Sequence, residues 1–172
     1  MTDNGRNENL RADAPEVLEG IEQLVRSVGG DPGTFDGRLV AQMLQTALKL
    51  VPDKHDTGQL KLINSSLKEM RHAYRVFNRW VGHRKVSIFG SARTPEDHPD
   101  YAAAKDFSQE MARHGWMSIT GAGDGIMKAG HEGPQREASF GLSIRLPFET
   151  TANEVIEGDP KLINFRYFFT RK

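Results

Sequence analysis

Two short stretches, Gly-Ser-Ala-Arg at residues 90–93 and Gly-Ala-Gly-Asp-Gly at residues 121–125, put glycines and a cation where they could hold an anion. Glycine reaches positive φ and lets a ligand come close to the backbone, while the N–H groups that open the following helix point at whatever sits there. Phosphate or carboxylate suits such a place. In the second stretch Gly121, Gly123 and Gly125 alternate directly after an apolar run; in the first, Gly90 is followed by Ser91 and Arg93, a hydroxyl and a guanidinium. The spacing G-x-G-x-G differs from the dinucleotide fingerprint, which wants G-x-G-x-x-G after the first strand, and no Gly-Lys-Ser/Thr follows as a P-loop requires. On these residues alone, the loop reads as a phosphate cradle or as a plain tight turn.

Other constellations carry less. His131-Glu132-Gly133 begins like a zinc helix, but Gln135 stands where the second histidine should be, so no metal and no cofactor is expected. The six histidines are scattered and read as surface or capping residues. There is no G-x-S-x-G elbow, and with no cysteine there is neither a disulfide framework nor a thiolate site. Lys plus Arg and Asp plus Glu both number 23, so the net charge of zero gives no global pull toward DNA or an anionic membrane. No run of about 18 apolar residues occurs, and the polar opening residues lack the apolar stretch of a secretory signal. The expectation is a cytoplasmic protein with no membrane partner.

The elements that must position these loops follow from periodicity. Residues 1–13 are polar and read as a disordered tail. Residues 14–82 read as a helical extension: apolar positions predict helices over Pro15–Val28, closed by Gly29-Gly30, over Asp36–Leu50, ended by Pro52, and over Gly58–Val81. The third carries a seam of Leu60, Ile63, Leu67, Met70, Tyr74, Phe77 and Val81, expected to dock on the main domain, with a dimer contact as the other use. Lys68, Arg71, Arg75 and Arg79 lie on its other side and read as a solvated face, because Glu69 interrupts them. From residue 83 to 172, short apolar runs alternate with helices: strands at Lys85–Phe89, Trp116–Thr120 and Gly141–Leu146, helices over Tyr101–Gly115 and from the glycine loop to about Glu132. This is an α/β pattern, a Rossmann-like parallel sheet with helices on both faces, preceded by the helical extension.

In their order and spacing, SIFGSAR, TGAGDGIMKAGHEG, GLSIRLPFETTANEVI and FRYFFTRK resemble the Lonely Guy (LOG) family of Rossmann-like nucleotide-binding proteins, many once misannotated as lysine decarboxylases. The resemblance runs from about Val86 to Lys172 and implies a nucleoside 5′-monophosphate phosphoribohydrolase. Such an enzyme hydrolyses the N-glycosidic bond of AMP or a cytokinin riboside monophosphate to the free base and ribose 5-phosphate. It also implies that Arg171 takes part in catalysis, that Lys172 and Glu149 contact substrate, and that Gly121, Gly123 and Gly125 line the nucleotide cleft, with Gly90, Ser91 and Arg93 beside it. Homo-oligomers, dimers or higher, are implied as well. The family signature PGGxGTxxE, which brings the main phosphate loop and the catalytic glutamate, is not in the sequence. The expectation is therefore an N-terminal fragment, inactive or nearly so by itself, whose Rossmann-like domain lacks its C-terminal half.

Two other functions compete. One is a non-catalytic nucleotide-binding or sensing module. The other is a single-stranded-DNA-binding Rossmann-like protein similar to DNA-processing protein A. Nucleic acid is not expected as a partner, because such binders favour a basic groove and the net charge here is zero.

Overall fold

A computed structural model describes residues 11–145 and 152–171. The chain divides into two compact units, Met1–Lys61 and Leu62–Lys172. Most of the tail expected over residues 1–13 lies outside the described residues, as do Glu149 and Lys172.

The first unit is a helical hairpin of α1 (Pro15–Ser27) and α2 (Phe35–Lys49). Proline opens α1, where its missing N–H costs nothing, and Gly29 beyond the end takes φ +87 as a left-handed C-terminal residue does. The Thr34 hydroxyl accepts from Gly37 N at 3.0 Å and caps α2. A Cβ on Gly37 would run into the carbonyl oxygen of Asp31, so the chain turns this tightly only with glycine there. Ile21 and Val25 are the apolar side chains this hairpin buries.

The second unit is built on a four-stranded, wholly parallel sheet in the order β1 (Arg84–Ser87), β2 (Trp116–Thr120), β3 (Ser139–Ile144), β4 (Leu162–Phe165). Helix α4 (Pro99–Arg113) joins β1 to β2, and α5 (Ile126–Glu132) lies between β2 and β3. The two helices pack closely on each other and on β2, because Gly133 lets them meet: a Cβ there would strike Ser108 Oγ and the carbonyl oxygen of Lys105. A short helix α6 (Phe168–Arg171) follows β4. The C-terminal half of α3 (Thr57–Phe77) covers the opposite face of the sheet, with Ala73 and Val76 against Met117, Phe140, Ile163 and Phe165. Alternation along β2 sorts the faces: Met117 and Ile119 point to α3, Ser118 and Thr120 to the α4/α5 side. The expected parallel sheet with helices on both faces and helices ahead of it is what the chain forms.

Two elements differ from the sequence expectation. The seam on α3 is not the docking face: Leu60, Ile63, Leu67, Met70, Tyr74 and Val81 are exposed, and of the seven only Phe77 packs on the sheet. The face that docks runs through Ala73, Val76, Phe77 and Trp80, spaced by three and four, and one turn before Ala73 the half-buried Glu69 lies in line with it. Small side chains let the helix sit close to the sheet, so the docking stripe carries less apolar bulk than the exposed one. The strand β4 is the second difference; its four residues, Leu-Ile-Asn-Phe, are too few to show a period.

Phe140 is the hub of this core. It is fully buried, stacks on Phe77 with ring centroids 4.8 Å apart, and meets Trp80 edge-on at 6.3 Å. Lys85 Nζ donates to the Trp80 carbonyl at 2.6 Å and so ties the end of α3's extension to β1. Phe140→Ala is expected to lower unfolding free energy by about 3–5 kcal/mol, read from the urea midpoint with the slope unchanged.

Candidate functional site

In an open parallel sheet, ligands sit beyond the carboxyl ends of the strands, and here the ends of β1 and β2 carry the two glycine-bearing loops. The loops lock onto one another. The Ser91 carbonyl accepts from Ile126 N, the first residue of α5, at 3.0 Å. Gly125 sits at φ +59, and a Cβ there would run into that same Ser91 oxygen and lie 2.8 Å from the carbonyl carbon of Ala92. Gly90 is constrained likewise, since its Cβ would collide with the Ile126 side chain. Ser91 Oγ accepts from Arg93 N at 3.1 Å and shapes its own turn; both residues are exposed.

Beside this junction lies a cavity of about 270 Å³, lined among the described residues by Ser87, Phe89, Ile119, Thr120, Gly121, Leu142 and Arg171. Its walls are mostly apolar, with one guanidinium. A Cβ on Gly121 would come within 2.9 Å of Arg171 Nη2, so this glycine leaves room for the arginine to lie against the loop backbone. The segment leading to Arg171 is tied to α3, which covers the same face of the sheet as Ile119 and Leu142. Glu69 on α3 accepts through Oε1 from Arg166 N at 2.9 Å and through Oε2 from the Thr170 hydroxyl at 2.7 Å, pinning both ends of the segment that carries Arg171. Glu69 therefore does not interrupt the basic stripe; it lies toward the sheet, while Lys68, Arg71, Arg75 and Arg79 are exposed.

Under the glycine loop lies His131, with no exposed surface. Its Nε2 is 3.0 Å from the Phe140 carbonyl oxygen and 3.0 Å from Thr120 Oγ1, and its Nδ1 is 3.1 Å from Asn153 Nδ2. Thr120 Oγ1 accepts from Ala122 N at 3.0 Å, Asn153 N donates to the Ala122 carbonyl at 2.7 Å, and Asn153 Nδ2 donates to the Gly123 carbonyl at 2.9 Å. Arg136 supports Asn153 by donating to the carbonyls of Glu154, Val155 and Glu157 in the following turn. Burial pushes the imidazole below its ordinary value of 6.5; its bonds to Phe140 and Asn153 work the other way and do not offset that.

The sequence expectation of surface or capping histidines fits His98, whose Nδ1 accepts from Asp100 N at the start of α4, and misses His131. Of the residues expected at the site, Gly121 and Arg171 line the cavity, Gly90, Ser91 and Gly125 form the junction beside it, and Arg93 is exposed at the turn. A Cβ on Gly123 would meet the end of Met127, a flexible side chain. Glu149 and Lys172 fall outside the described residues. Sequence reasoning passed over Glu69, His131 and Asn153. The one signal for the last two is a histidine and an asparagine flanking the loop in otherwise unexplained polar positions. Among the described residues no group of three or more His, Asp or Glu is placed to hold a metal ion, and no helix is long and apolar enough to cross a membrane.

Residues 83–157 match the SLOG cluster4 family, whose superfamily includes LOG-like Rossmann-like proteins; this points to a function connected with nucleotides. The match spans β1 to the turn after Asn153 and so covers both glycine loops and the His131 cluster. No curated protein matches the chain.

Three outcomes follow from this geometry. Gly125→Ala, which demands an L residue at positive φ against a carbonyl oxygen, should destabilise the protein by more than about 1 kcal/mol, measured by chemical denaturation. Removing the Glu69 carboxylate in Glu69→Ala should cost about 1.5–3 kcal/mol and raise amide exchange at Arg166 and Thr170. Because the folded-state value of His131 lies below 6.5, the unfolded chain takes up the proton first. The stability His131 contributes is thus complete above 6.5 and is lost as pH falls through the folded value; melting temperatures between pH 8 and 5 should show this slope, and His131→Gln should lack it.

Proposed function

We propose that this protein binds a nucleoside 5′-monophosphate beyond the carboxyl ends of β1, β2 and β3, and that this fold, joined to a PGGxGTxxE segment, hydrolyses the N-glycosidic bond. The observation that carries the reading is Arg171 lying against Gly121 at the mouth of the 270 Å³ cavity. A guanidinium beside the half-buried backbone of Gly121 recognises a phosphate or a ribose hydroxyl, and the apolar side chains of Phe89, Ile119 and Leu142 suit the faces of a base. The resemblance to the LOG family and the match to the SLOG cluster4 family both support a nucleotide ligand.

The reaction assigned is attack of water on C1′ of the ribose while the C1′–N bond breaks. The base leaves with the bonding electrons and takes up a proton; ribose 5-phosphate is the other product. Charge builds on an oxocarbenium-like sugar, which a nearby carboxylate stabilises while it orients the water. The described lining residues of the cavity include no carboxylate. In this reading Glu149 contacts substrate and the catalytic glutamate is that of a PGGxGTxxE segment, with the phosphate anchor holding the sugar for attack. The assembly that carries out the reaction is a homo-oligomer.

Calorimetric titration of the 172-residue chain with AMP and with adenosine tests the binding step. AMP should bind and adenosine should bind more weakly, because it lacks the phosphate. Arg171→Ala should weaken AMP binding by roughly 10- to 100-fold, the loss of one charge-assisted contact. Chromatography of the protein incubated with AMP, together with a PGGxGTxxE segment, should show adenine and ribose 5-phosphate. Binding without base release from any purine or pyrimidine monophosphate would leave a nucleotide sensor, and a salt-sensitive shift of single-stranded oligonucleotide without AMP binding would overturn the reading altogether.

A further inference from the structure

The partners of His131 fix its state atom by atom. The Phe140 carbonyl can only accept, so Nε2, 3.0 Å away, carries the hydrogen. The Gly123 carbonyl can also only accept, so the Asn153 atom 2.9 Å from it is the amide nitrogen, and the side-chain orientation is settled. That nitrogen has two hydrogens. One goes to Gly123, and the other points to His131 Nδ1 at 3.1 Å, nearer than Asn153 Oδ1 at 3.3 Å, and Nδ1 accepts it because Nε2 already carries the ring's hydrogen. The ring is a neutral imidazole with each nitrogen in a definite role.

Downstream of the ring, every tie leads into the loop. Ala122 is a non-glycine residue at φ +65 and is almost wholly buried. Its N–H is held by Thr120 Oγ1 and its carbonyl by Asn153 N, while the next carbonyl, Gly123, is held by the Asn153 side chain. Thr120 and Asn153 both contact His131 and lie 11 and 22 residues from it in sequence.

We propose that His131 is a positioning residue for nucleotide binding: through Asn153 and Thr120 it sets the backbone of Ala122 and Gly123, and so the shape of the loop against which the nucleotide lies. The inference rests on the proposed nucleotide site. His131 itself touches no ligand; the loop does. The Asn153 arm carries the effect, because it alone reaches the Gly123 carbonyl. Moving Asn153 frees two successive loop carbonyls.

Two conservative variants separate the arms. His131→Asn places an acceptor where Nδ1 was and keeps the Asn153 arm; His131→Gln keeps a donor near the Phe140 carbonyl and loses that arm. In the ligand-free protein, the amide resonances of Gly121, Gly123 and Gly125 should shift in His131→Gln and in Asn153→Ala and stay close to the parent in His131→Asn. AMP affinity, titrated well below each melting temperature, should fall at least tenfold in the first two and less than threefold in the third. The double variant His131→Gln/Asn153→Ala should lose no more than either single one, since both break one arm. Unchanged loop resonances and unchanged AMP affinity in a folded His131→Gln would overturn the inference, as would equal losses in His131→Gln and His131→Asn. Should His131→Gln fail to fold, Asn153→Ala alone decides, its parent-like loop resonances counting against the proposal. If the parent binds no AMP, the nucleotide reading fails, while the ligand-free resonances still report whether His131 shapes the loop.

Discussion

A polar ring with no exposed surface must satisfy both its nitrogens inside the protein, and the rest of this structure is arranged around that demand for His131. One nitrogen uses the carbonyl of Phe140, whose side chain points to the other face of the sheet and stacks on Phe77. A single residue of β3 thus connects the core under α3 with the polar cluster under the glycine loop. The pairing of β2 with β3, Thr120 opposite Gly141, brings the end of one strand level with the start of the other. A slip of one residue would turn Phe140 out of the core and take away the oxygen that His131 needs.

The loop above this cluster stores strain. An alanine in the left-handed region costs about 1–2 kcal/mol, and Ala122 stays there because its two polar groups are bonded and its methyl group has a place. That place is made by Gly141: a Cβ on that residue would stand 3.0 Å from Ala122 Cβ and 2.7 Å from Leu162 Cδ1. The glycine in β3 is therefore a packing device, and those in the loop are conformational ones. With Gly125 against the Ser91 carbonyl and Ala122 over Gly141, the loop has little freedom to change shape when something enters the cavity. Such a surface recognises by complementarity already in place.

Much of this was legible in the sequence, and the exceptions have a common cause. Trp116–Thr120 was readable as a strand from end to end, and α1, α2 and α4 to within two or three residues, because apolar periodicity, Pro15, Gly29 and Gly115 are local signals. The glycine loops were legible as places where backbone meets something closely, and Gly125 meets the neighbouring loop itself. What could not be read depends on partners far along the chain. His131 looks like any helix histidine until Asn153 and Phe140 come together around it. Glu69 looks like an interruption in a row of cations until Arg166 and Thr170 reach it. On α3, the bulkier apolar stripe drew the reading and the smaller one does the docking, since closeness to a sheet favours Ala73 and Val76 over Leu67 and Tyr74.

The bonds that Glu69 makes cross 97 and 101 residues of chain. Helix α3 is synthesised before the sheet it covers, and at roughly 5–20 residues per second the gap between Glu69 and its partners lasts about 5 to 20 seconds. During that time α4, β2, α5 and β3 can assemble and Ala73, Val76 and Phe77 can close on Met117 and Phe140, whereas Ile163, Phe165 and the partners of Glu69 come last, beside the apolar seam that stays exposed in the finished fold. Closing a loop of that length is the slow part of folding for such a topology. The nascent chain thus carries two apolar faces on one helix, and the cover of the docking face is complete only when β4 has been made.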